Sequence, residues 1–473
     1  MLTPCSAQEW SFQTAAHLLN RAGFGGTPEE IERVRQQGIE AAVDELLHPS
    51  DQLKGTDSLP WSAPKNVRGQ LDRLKGHPEE QEAKLREIRE EQRQELLDLR
   101  YWWLTWMKDT RAPLVEKMTL FWHGHFATSA EKVTNTYWLW RQNDTFRRYA
   151  FGNFTTLLKE VSRDPAMMIY LDLLESEKSH PNENWAREVM ELFTIGIGHY
   201  TEQDIRESAR AFTGYRIDSN EQFQFFKRQH DETQKRFMGR SGNFSGDDIL
   251  DIIVEQPACA QFIGRKLWRF FVEDEPPPAA IDSVAKLLRQ HHFNLGPVLQ
   301  AIFSSAEFYA PRVVRAQIKS PVQFLVQSCK LLESELPPIL SALNGMQQMG
   351  QVLFAPPNVK GWDGGKSWIS TATLLFRYNF ADYLINGSPN QHNTPPVLRR
   401  EPIDLGKIIP AELRENSERL VTDLALRLYQ SPLAAKQAEI FRAYLNSRAT
   451  DRGDETIRRL IHLMMSTPQF QLT

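Results

Sequence analysis

Apolar residues recur at three- and four-residue intervals along almost the whole chain, and this spacing constrains the fold more than any other feature. Ala15, Leu18, Leu19 and Ala22 follow it near the start, and residues 262–271 form a strongly apolar run of the same kind. A period of this length places apolar side chains on one face of an α-helix. The sequence therefore predicts a mainly α fold with a multi-helix globular architecture.

One segment departs from the helical pattern. Residues 215–217 and 222–226 are short, rich in β-forming residues, and separated by the polar turn at residues 218–221. Two such runs around a polar turn are typical of a hairpin. We therefore predict one small β-hairpin within an otherwise helical chain.

Two short segments of the C-terminal half resemble each other. The sequence LQAIFSSAEF ends at Phe308, and HLMMSTPQF ends at Phe470, with a serine and a phenylalanine at matching offsets. Each follows about 40 residues of similar helical pattern. This echo favours a duplicated helical unit, although a match this short also arises by chance.

Composition divides the 473 residues into three predicted regions. Residues 1–60 form an N-terminal helical segment, residues 66–245 a central helical region, and residues 246–473 a C-terminal helical region with the internal echo. The central region contains residues 78–100, which are dense in Glu, Arg, Lys and Gln and carry a narrow apolar seam. This pattern predicts a long charged arm helix.

Charge and hydropathy exclude several classes of protein. The net charge of −4 and a pI near 6.3 lack the basic excess typical of nucleic-acid binding. No run of about 18 apolar residues is present, so we expect no membrane span. The first residues show no secretory-signal pattern, which predicts a soluble, cytoplasmic protein. Export is the alternative if the start site is misassigned.

Four polar residues lie at helical spacing in an otherwise apolar segment. Asn184, Arg187, Glu188 and Glu191 follow the pattern i, i+3, i+4, i+7 and form one stripe on a helix. The stripe is either a solvated face or the wall of a cleft. In a cleft, Glu188 and Glu191 would act as metal ligands or as acid and base, because neighbouring carboxylates raise one pKa. Arg187 would hold an anionic group, and Asn184 would contact the ligand.

Histidines and one aspartate supply candidate metal ligands. His123 and His125 flank Gly124, and they would converge on one metal only if the helix ended at the glycine, because residues two apart point in nearly opposite directions. His230 and Asp231 follow the predicted hairpin. Mixed nitrogen and oxygen ligands suit a divalent metal such as zinc, iron or manganese. The alternative for each histidine is a hydrogen-bonded place in the core.

A glycine-rich segment carries two tryptophans. Trp362 and Trp368 lie in the sequence GWDGGKSW that begins at Gly361. Exposed indoles would stack on a sugar or another flat ligand. Buried indoles would instead close the helical core, since Trp is highly buried on average.

An ordered series of motifs resembles the bacterial domain-of-unknown-function family 1800. The matching segments are LNRAGFG from Leu19, FWHGHF from Phe121, DPAMMIYLD from Asp164, PNENWAREVMELFTIG from Pro181, His230-Asp231, RAQIKSP from Arg315 and NVKGW from Asn358. The resemblance covers nearly the whole chain. It implies no agreed activity, and it implies a sulfatase-like protein as a partner.

Two functional hypotheses follow. The first is an enzyme, metal-dependent in its sharper form, that acts on an anionic or carbohydrate-like molecule through the polar groups named above. The second is a non-catalytic helical scaffold or accessory protein that binds a protein partner. They differ in whether these polar groups converge on one concave pocket.

The cysteine pattern gives the first testable prediction. Cys5, Cys259 and Cys329 are odd in number and widely spaced, which disfavours a disulfide framework. Thiol titration of denatured, non-reduced protein should therefore find three free thiols. A titre of one would demonstrate a disulfide and contradict the prediction.

Overall fold

The computed structural model describes residues 2–49, 59–389, 395–448 and 453–473. It is 61% helical, which confirms the mainly α prediction. No helix within those ranges has the length and apolar character needed to cross a bilayer. All three cysteines are free, and Cys259 and Cys329 are buried in the core.

In the part of the chain that the structure describes, eleven helices precede the first strand. They are α1 (Phe12–Ala22), α2 (Pro28–Gln37), α3 (Ile39–Leu47), α4 (Val67–Asp72), α5 (Pro78–Asp109), α6 (Pro113–His125), α7 (Thr136–Arg148), α8 (Phe154–Ser162), α9 (Pro165–Tyr170), α10 (Glu183–Glu188) and α11 (Glu202–Ala211). The predicted charged arm forms most of α5. A π-helical turn, Val189–Thr194, continues α10 directly.

Four short strands follow, and then the remaining helices. The strands are β1 (Tyr215–Ile217), β2 (Phe223–Phe225), β3 (Lys235–Phe237) and β4 (Arg240–Gly242). The helices are α12 (Gly246–Glu255), α13 (Pro257–Phe271), α14 (Pro278–Gln290), α15 (Leu295–Phe303), α16 (Pro321–Leu331), α17 (Ile339–Met349), α18 (Thr371–Asn386), α19 (Leu405–Ile408), α20 (Ser417–Leu428), α21 (Ala435–Asn446) and α22 (Asp454–Met465).

The strands form two antiparallel hairpins. β1 pairs with β2 with Tyr215 opposite Phe225, which confirms the predicted hairpin. β3 pairs with β4, a hairpin that was not predicted. Its two-residue turn, Met238 and Gly239, has positive φ at both positions (46° and 79°), as the tight turns that match strand twist require.

Buried side chains form two hydrophobic cores. The first core draws on α1–α3, α8 and α10–α15, and includes Trp122, Trp185 and Trp268. The second draws on α5 and α16–α22, and includes Trp103 and Phe470. α6 contributes to both, because Trp122 lies in the first core and Leu120 in the second. This helix therefore runs along the junction of the two cores.

The two echo segments have similar ends. Ser304 caps the C-terminal end of α15 and Ser466 that of α22, and Phe308 and Phe470 are fully buried after them. The shared pattern reflects a helix end followed by an apolar anchor. The duplicated unit and the three-region division stay predictions.

A buried ion pair joins three helices at the base of α6. Glu116 accepts from Arg147 at 2.6 Å and 3.0 Å, and its carboxylate also accepts the indole N–H groups of Trp103 (2.7 Å) and Trp106 (3.0 Å). Both charged side chains are almost fully buried. The hydrogen bonds that the Glu116 carboxylate accepts thus come from donors on α5 and α7 and fill its acceptor positions.

Removing the charge of Glu116 should destabilise the protein strongly. In Glu116→Gln, Arg147 stays buried with only Asp144, at 3.9 Å, as a counter-charge, and breaking a buried pair of this kind costs about 3–5 kcal/mol. Asp251→Asn breaks a half-exposed pair with Lys159 and should cost less than about 1 kcal/mol. Chemical denaturation of both variants measures the difference, and equal losses would contradict this account of α6.

Candidate functional site

A cleft of about 240 Å³ opens where the two cores meet. Its walls come from the C-terminal half of α6, from α13, from the segment that leads into α16, and from residues 361–368, which we name the Trp loop. The lining includes Phe121, His125, Lys266, Phe270, Trp362 and Trp368. The volume lies below the range of about 300–1,000 Å³ that holds drug-sized ligands, so the cleft suits a smaller molecule.

Two glycines make the cleft by a close backbone approach. Gly361 has φ of +84°, and a Cβ built on it would lie 2.2 Å from the carbonyl oxygen of Gly124. A Cβ on Gly124 would meet no atom within 4 Å. Gly361 is therefore the residue that lets the Trp loop rest on α6, while Gly124 faces open space in the cleft wall.

Contacts to α13 and the following turn fix the rest of the Trp loop. Arg269 donates to the Asp363 carbonyl at 3.1 Å, and Lys360 pairs with the Asp363 carboxylate at 2.6 Å. A Cβ on Gly365 would lie 2.6 Å from Asp274 Oδ2, so this turn also packs closely against the loop backbone. Trp368 is 7% exposed and Trp362 is half-buried, so both indoles form wall rather than free surface.

The two histidines of α6 face different cores. The helix continues through Gly124 to His125, so their side chains diverge. His123 Nε2 accepts from the Phe354 N–H at 3.0 Å, and its ring lies 5.7 Å from that of Trp362. His125 Nε2 lies 3.0 Å from the carbonyl oxygen of Phe193 in the π-helical turn. Each histidine thus has one nitrogen committed to the backbone.

Burial keeps both imidazoles neutral. It lowers the pKa of His123 to about 3, with a smaller contribution from the charge of Arg100. Burial also lowers the pKa of His125 well below its ordinary value, and Lys266 lowers it further. Neither ring carries a proton charge near neutral pH.

The cleft contains basic side chains that lack carboxylate partners. Lys117 is buried and donates to Gln323 Oε1 at 2.6 Å and to the Gly23 carbonyl at 2.9 Å, and burial lowers its pKa to about 7. Lys266 lies 5.3 Å from the ring centroid of Phe262 and has no hydrogen-bond or ion-pair partner in the described part of the chain. Burial lowers the pKa of Lys266 to about 8, and the charges of Arg269 and Lys360 act in the same direction.

Basic side chains outnumber acidic ones around the cleft. Lys117, Lys266, Arg269 and Lys360 line it, against Asp274 and Asp363, and Asp363 is already paired with Lys360. Cations with few neighbouring carboxylates, in a partly buried cleft, make the electrostatic potential there positive. The cleft therefore favours an anion.

The predicted polar stripe lies outside this cleft. Asn184 is exposed and donates to Asp172 at 3.1 Å, while Arg187 forms a two-bond pair with Glu202 at 3.0 Å. Glu191 accepts from the Tyr200 hydroxyl at 2.6 Å. Arg187 is thus engaged by a carboxylate instead of a ligand anion.

Glu188 is the stripe residue with the most perturbed environment. It is half-buried, and burial together with the charge of Glu191 raises its pKa. The two carboxylates are therefore close enough to repel, as the spacing predicted. Neither lines the cleft that holds His125.

His230 and Asp231 lie between the two hairpins and contact the C-terminal end of α11. His230 Nδ1 lies 2.9 Å from the Thr213 carbonyl, and Asp231 accepts from Arg210 at 2.7 Å. Burial of Asp231 opposes its ionisation, but the Arg210 and Thr233 hydrogen bonds outweigh this and lower its pKa. Across the described ranges, no group of three or more His, Cys, Asp or Glu side chains is arranged to hold a metal ion. The predicted set of His123, His125, His230, Asp231, Glu188 and Glu191 is not brought together.

The order of motifs along the chain agrees with one family. A family model described as a protein of unknown function, DUF1800, matches residues 17–472. The chain belongs to the DUF1800 family. No curated protein and no solved structure matches it.

Of the ten predicted site residues, this DUF1800 chain places three on the cleft: His125, Trp362 and Trp368. His123 lies directly behind Trp362. The basic residues were missed. Phe262, Lys266 and Arg269 follow the i, i+4, i+7 pattern within an apolar helix, and this signal could have drawn attention to Lys266.

The glycine contact predicts opposite effects for two similar substitutions. Gly361→Ala forces a positive φ on a residue with a side chain and a clash with Gly124, so it should cost more than about 1 kcal/mol. Gly124→Ala adds a methyl group to open space within a helix and should leave stability unchanged or slightly higher. Thermal melts with tryptophan fluorescence compare them. A Gly361→Ala variant as stable as the wild type would contradict the close packing of the Trp loop on α6.

Proposed function

We propose that this DUF1800 protein binds a small anionic molecule in the cleft between the two cores. The observation that carries the proposal is Lys266, a partly buried ammonium that has no counter-charge of its own in the described structure and stands beside two further basic groups. Such a group is costly to bury without a partner, and a ligand anion would supply one.

The remaining wall suits the non-ionic part of a ligand. Phe121, Phe270, Trp362 and Trp368 give the cleft an aromatic wall beside its polar groups, and aromatic walls are usual in small-molecule sites. The proposal keeps the anionic or carbohydrate-like substrate class favoured by the sequence. It moves the site from Glu188 and Glu191 to the cleft.

Lys266 and Lys117 play different parts in this proposal. Lys117 has its hydrogens engaged by Gln323 and by backbone carbonyls, so it acts on a ligand through its charge alone. Lys266 has its donors free for direct contact. Arg269 and Lys360 lie at the exposed edge and attract the anion over a longer distance.

Neutralising Lys266 should weaken anion binding. Lys266→Gln removes a charge-assisted contact, which corresponds to about tenfold or more in dissociation constant. Lys407→Gln makes the same change in charge on an exposed residue of α19 and should have little effect. Calorimetric titration with inorganic phosphate compares the two variants with the wild type. If wild type and Lys266→Gln bind phosphate equally, or neither binds any of a panel of small organic anions, the scaffold interpretation takes precedence.

The affinity for anions should fall as pH rises. Lys266 loses its proton around pH 8, and only the ammonium attracts an anion, so binding should weaken by up to about tenfold between pH 7 and pH 9. An anion of fixed charge, such as sulfate, is the appropriate probe. Binding at pH 8 should take up protons, which calorimetry in buffers of different ionisation enthalpy detects. An affinity independent of pH, with no proton uptake, would contradict the role of Lys266.

The stability of the unliganded protein should show the opposite trend and rise with pH. The pKa of Lys266 is lower in the folded state than its ordinary value of 10.5, so unfolding between about pH 8 and 10.5 takes up a proton. Stability from this group therefore rises with pH in that window. The difference in unfolding free energy between wild type and Lys266→Gln separates the contribution of Lys266 from those of the tyrosines and cysteines that titrate in the same range.

A further inference from the structure

His125 offers a second kind of recognition next to Lys266. Its Nε2 lies 3.0 Å from the carbonyl oxygen of Phe193, and a carbonyl oxygen only accepts hydrogen bonds. Nε2 must therefore carry the hydrogen. In a neutral imidazole this leaves Nδ1 as a bare acceptor.

That acceptor has no partner in the protein. His125 is 3% exposed, and Nδ1 is buried without a hydrogen bond to any described residue. A buried polar atom without a partner costs about 1–3 kcal/mol and calls for an explanation. Because His125 lines the cleft, a donor on a bound ligand would satisfy it.

The surroundings of Nδ1 define what the ligand must carry. Phe121 stacks on the His125 ring at 5.9 Å, and Phe262 lies 6.3 Å away, so the ring is fixed between apolar neighbours. Lys266 is near enough for its charge to act on the imidazole. A ligand that contacted both groups would thus meet a cation and a neutral acceptor, and a simple anion would satisfy only the cation.

We infer that the ligand is an anionic sugar, whose charged group contacts Lys266 and whose hydroxyl donates to Nδ1 of His125. This inference rests on the proposed function and deepens it. A hydroxyl close to a charged group on a small ring meets both requirements in a cleft of about 240 Å³. The apolar face of the ring would pack against the Trp362 indole, which is half-buried and fixed by the close approach of Gly361 to α6. Uronic acids and sugar phosphates share this chemistry.

Two ligands of similar size separate the hydroxyl from the anion. Glucuronate carries a carboxylate and ring hydroxyls, whereas cyclohexanecarboxylate carries the carboxylate on a ring without hydroxyls. Calorimetric titration of the wild-type protein at pH 7 should show tighter binding of glucuronate by about fivefold or more, the change that one hydrogen bond produces. Repeating the pair with glucose 6-phosphate and cyclohexyl phosphate distinguishes a carboxylate from a phosphate as the charged group.

A designed variant tests the part played by His125. His125→Gln keeps an amide donor for the Phe193 carbonyl but removes the acceptor at the Nδ1 position. It should lower the affinity for glucuronate about fivefold and leave that for cyclohexanecarboxylate unchanged. Lys266→Gln should weaken both ligands. A thermal melt shows whether His125→Gln is folded, and the comparison of the two ligands on wild-type protein needs no variant.

The outcomes distinguish this inference from the proposed function. Equal binding of glucuronate and cyclohexanecarboxylate to the wild type, both sensitive to Lys266→Gln, would overturn the sugar and leave the anion site. Tighter binding of 4-hydroxybenzoate than of glucuronate would also overturn it, in favour of an aromatic hydroxy acid. Failure of every anion to bind would overturn both proposals.

Discussion

The backbone contact between Gly124 and Gly361 is the constraint on which the cleft depends. Gly124 belongs to α6, which runs along the junction of the two cores, and Gly361 begins the Trp loop contributed by the second half of the chain. Because Gly361 has no side chain, the carbonyl oxygen of Gly124 approaches its backbone closely enough to seat Trp362 against His123. His123 and His125 then fasten α6 to opposite sides, through the backbones of Phe354 and Phe193. The motifs His123-Gly124-His125 and Gly361-Trp362 are far apart in sequence but thus pack against each other in the structure.

Electrostatics give this junction its chemical character. Glu116 and Arg147 compensate each other fully at one end of α6, whereas Lys117 and Lys266 have no carboxylate partner at the cleft in the described ranges. Amide and carbonyl oxygens solvate Lys117 without cancelling its charge. The protein therefore places basic groups without carboxylate partners in a cleft with an aromatic wall. A structural pair and the proposed binding site thus share one helix, with Glu116 and Lys117 adjacent in sequence.

The sequence predicted the helices and the first hairpin better than it predicted which residues meet in the folded chain. Helical periodicity and the β-rich runs around residues 218–221 gave the mainly α fold and the first hairpin, because both are local properties. The second hairpin escaped notice because Met238 occupies a turn position where Asn or Asp is usual. Glu188 and Glu191 are close enough to repel, but Arg187 is engaged by Glu202, and none of the four stripe residues lines the cleft. No local pattern could show that Lys266 and Trp362, almost a hundred residues apart, line the same space.

The most direct test of the anion site is a crystal of the wild-type protein soaked in selenate, with anomalous scattering to locate the ion. The account predicts an anomalous peak within hydrogen-bond distance of Lys266 Nζ, between α13 and the Trp loop, and its loss in Lys266→Gln crystals but not in Lys407→Gln crystals. Selenate at exposed arginines with an empty cleft, at a concentration that fills those surface positions, would contradict the central claim.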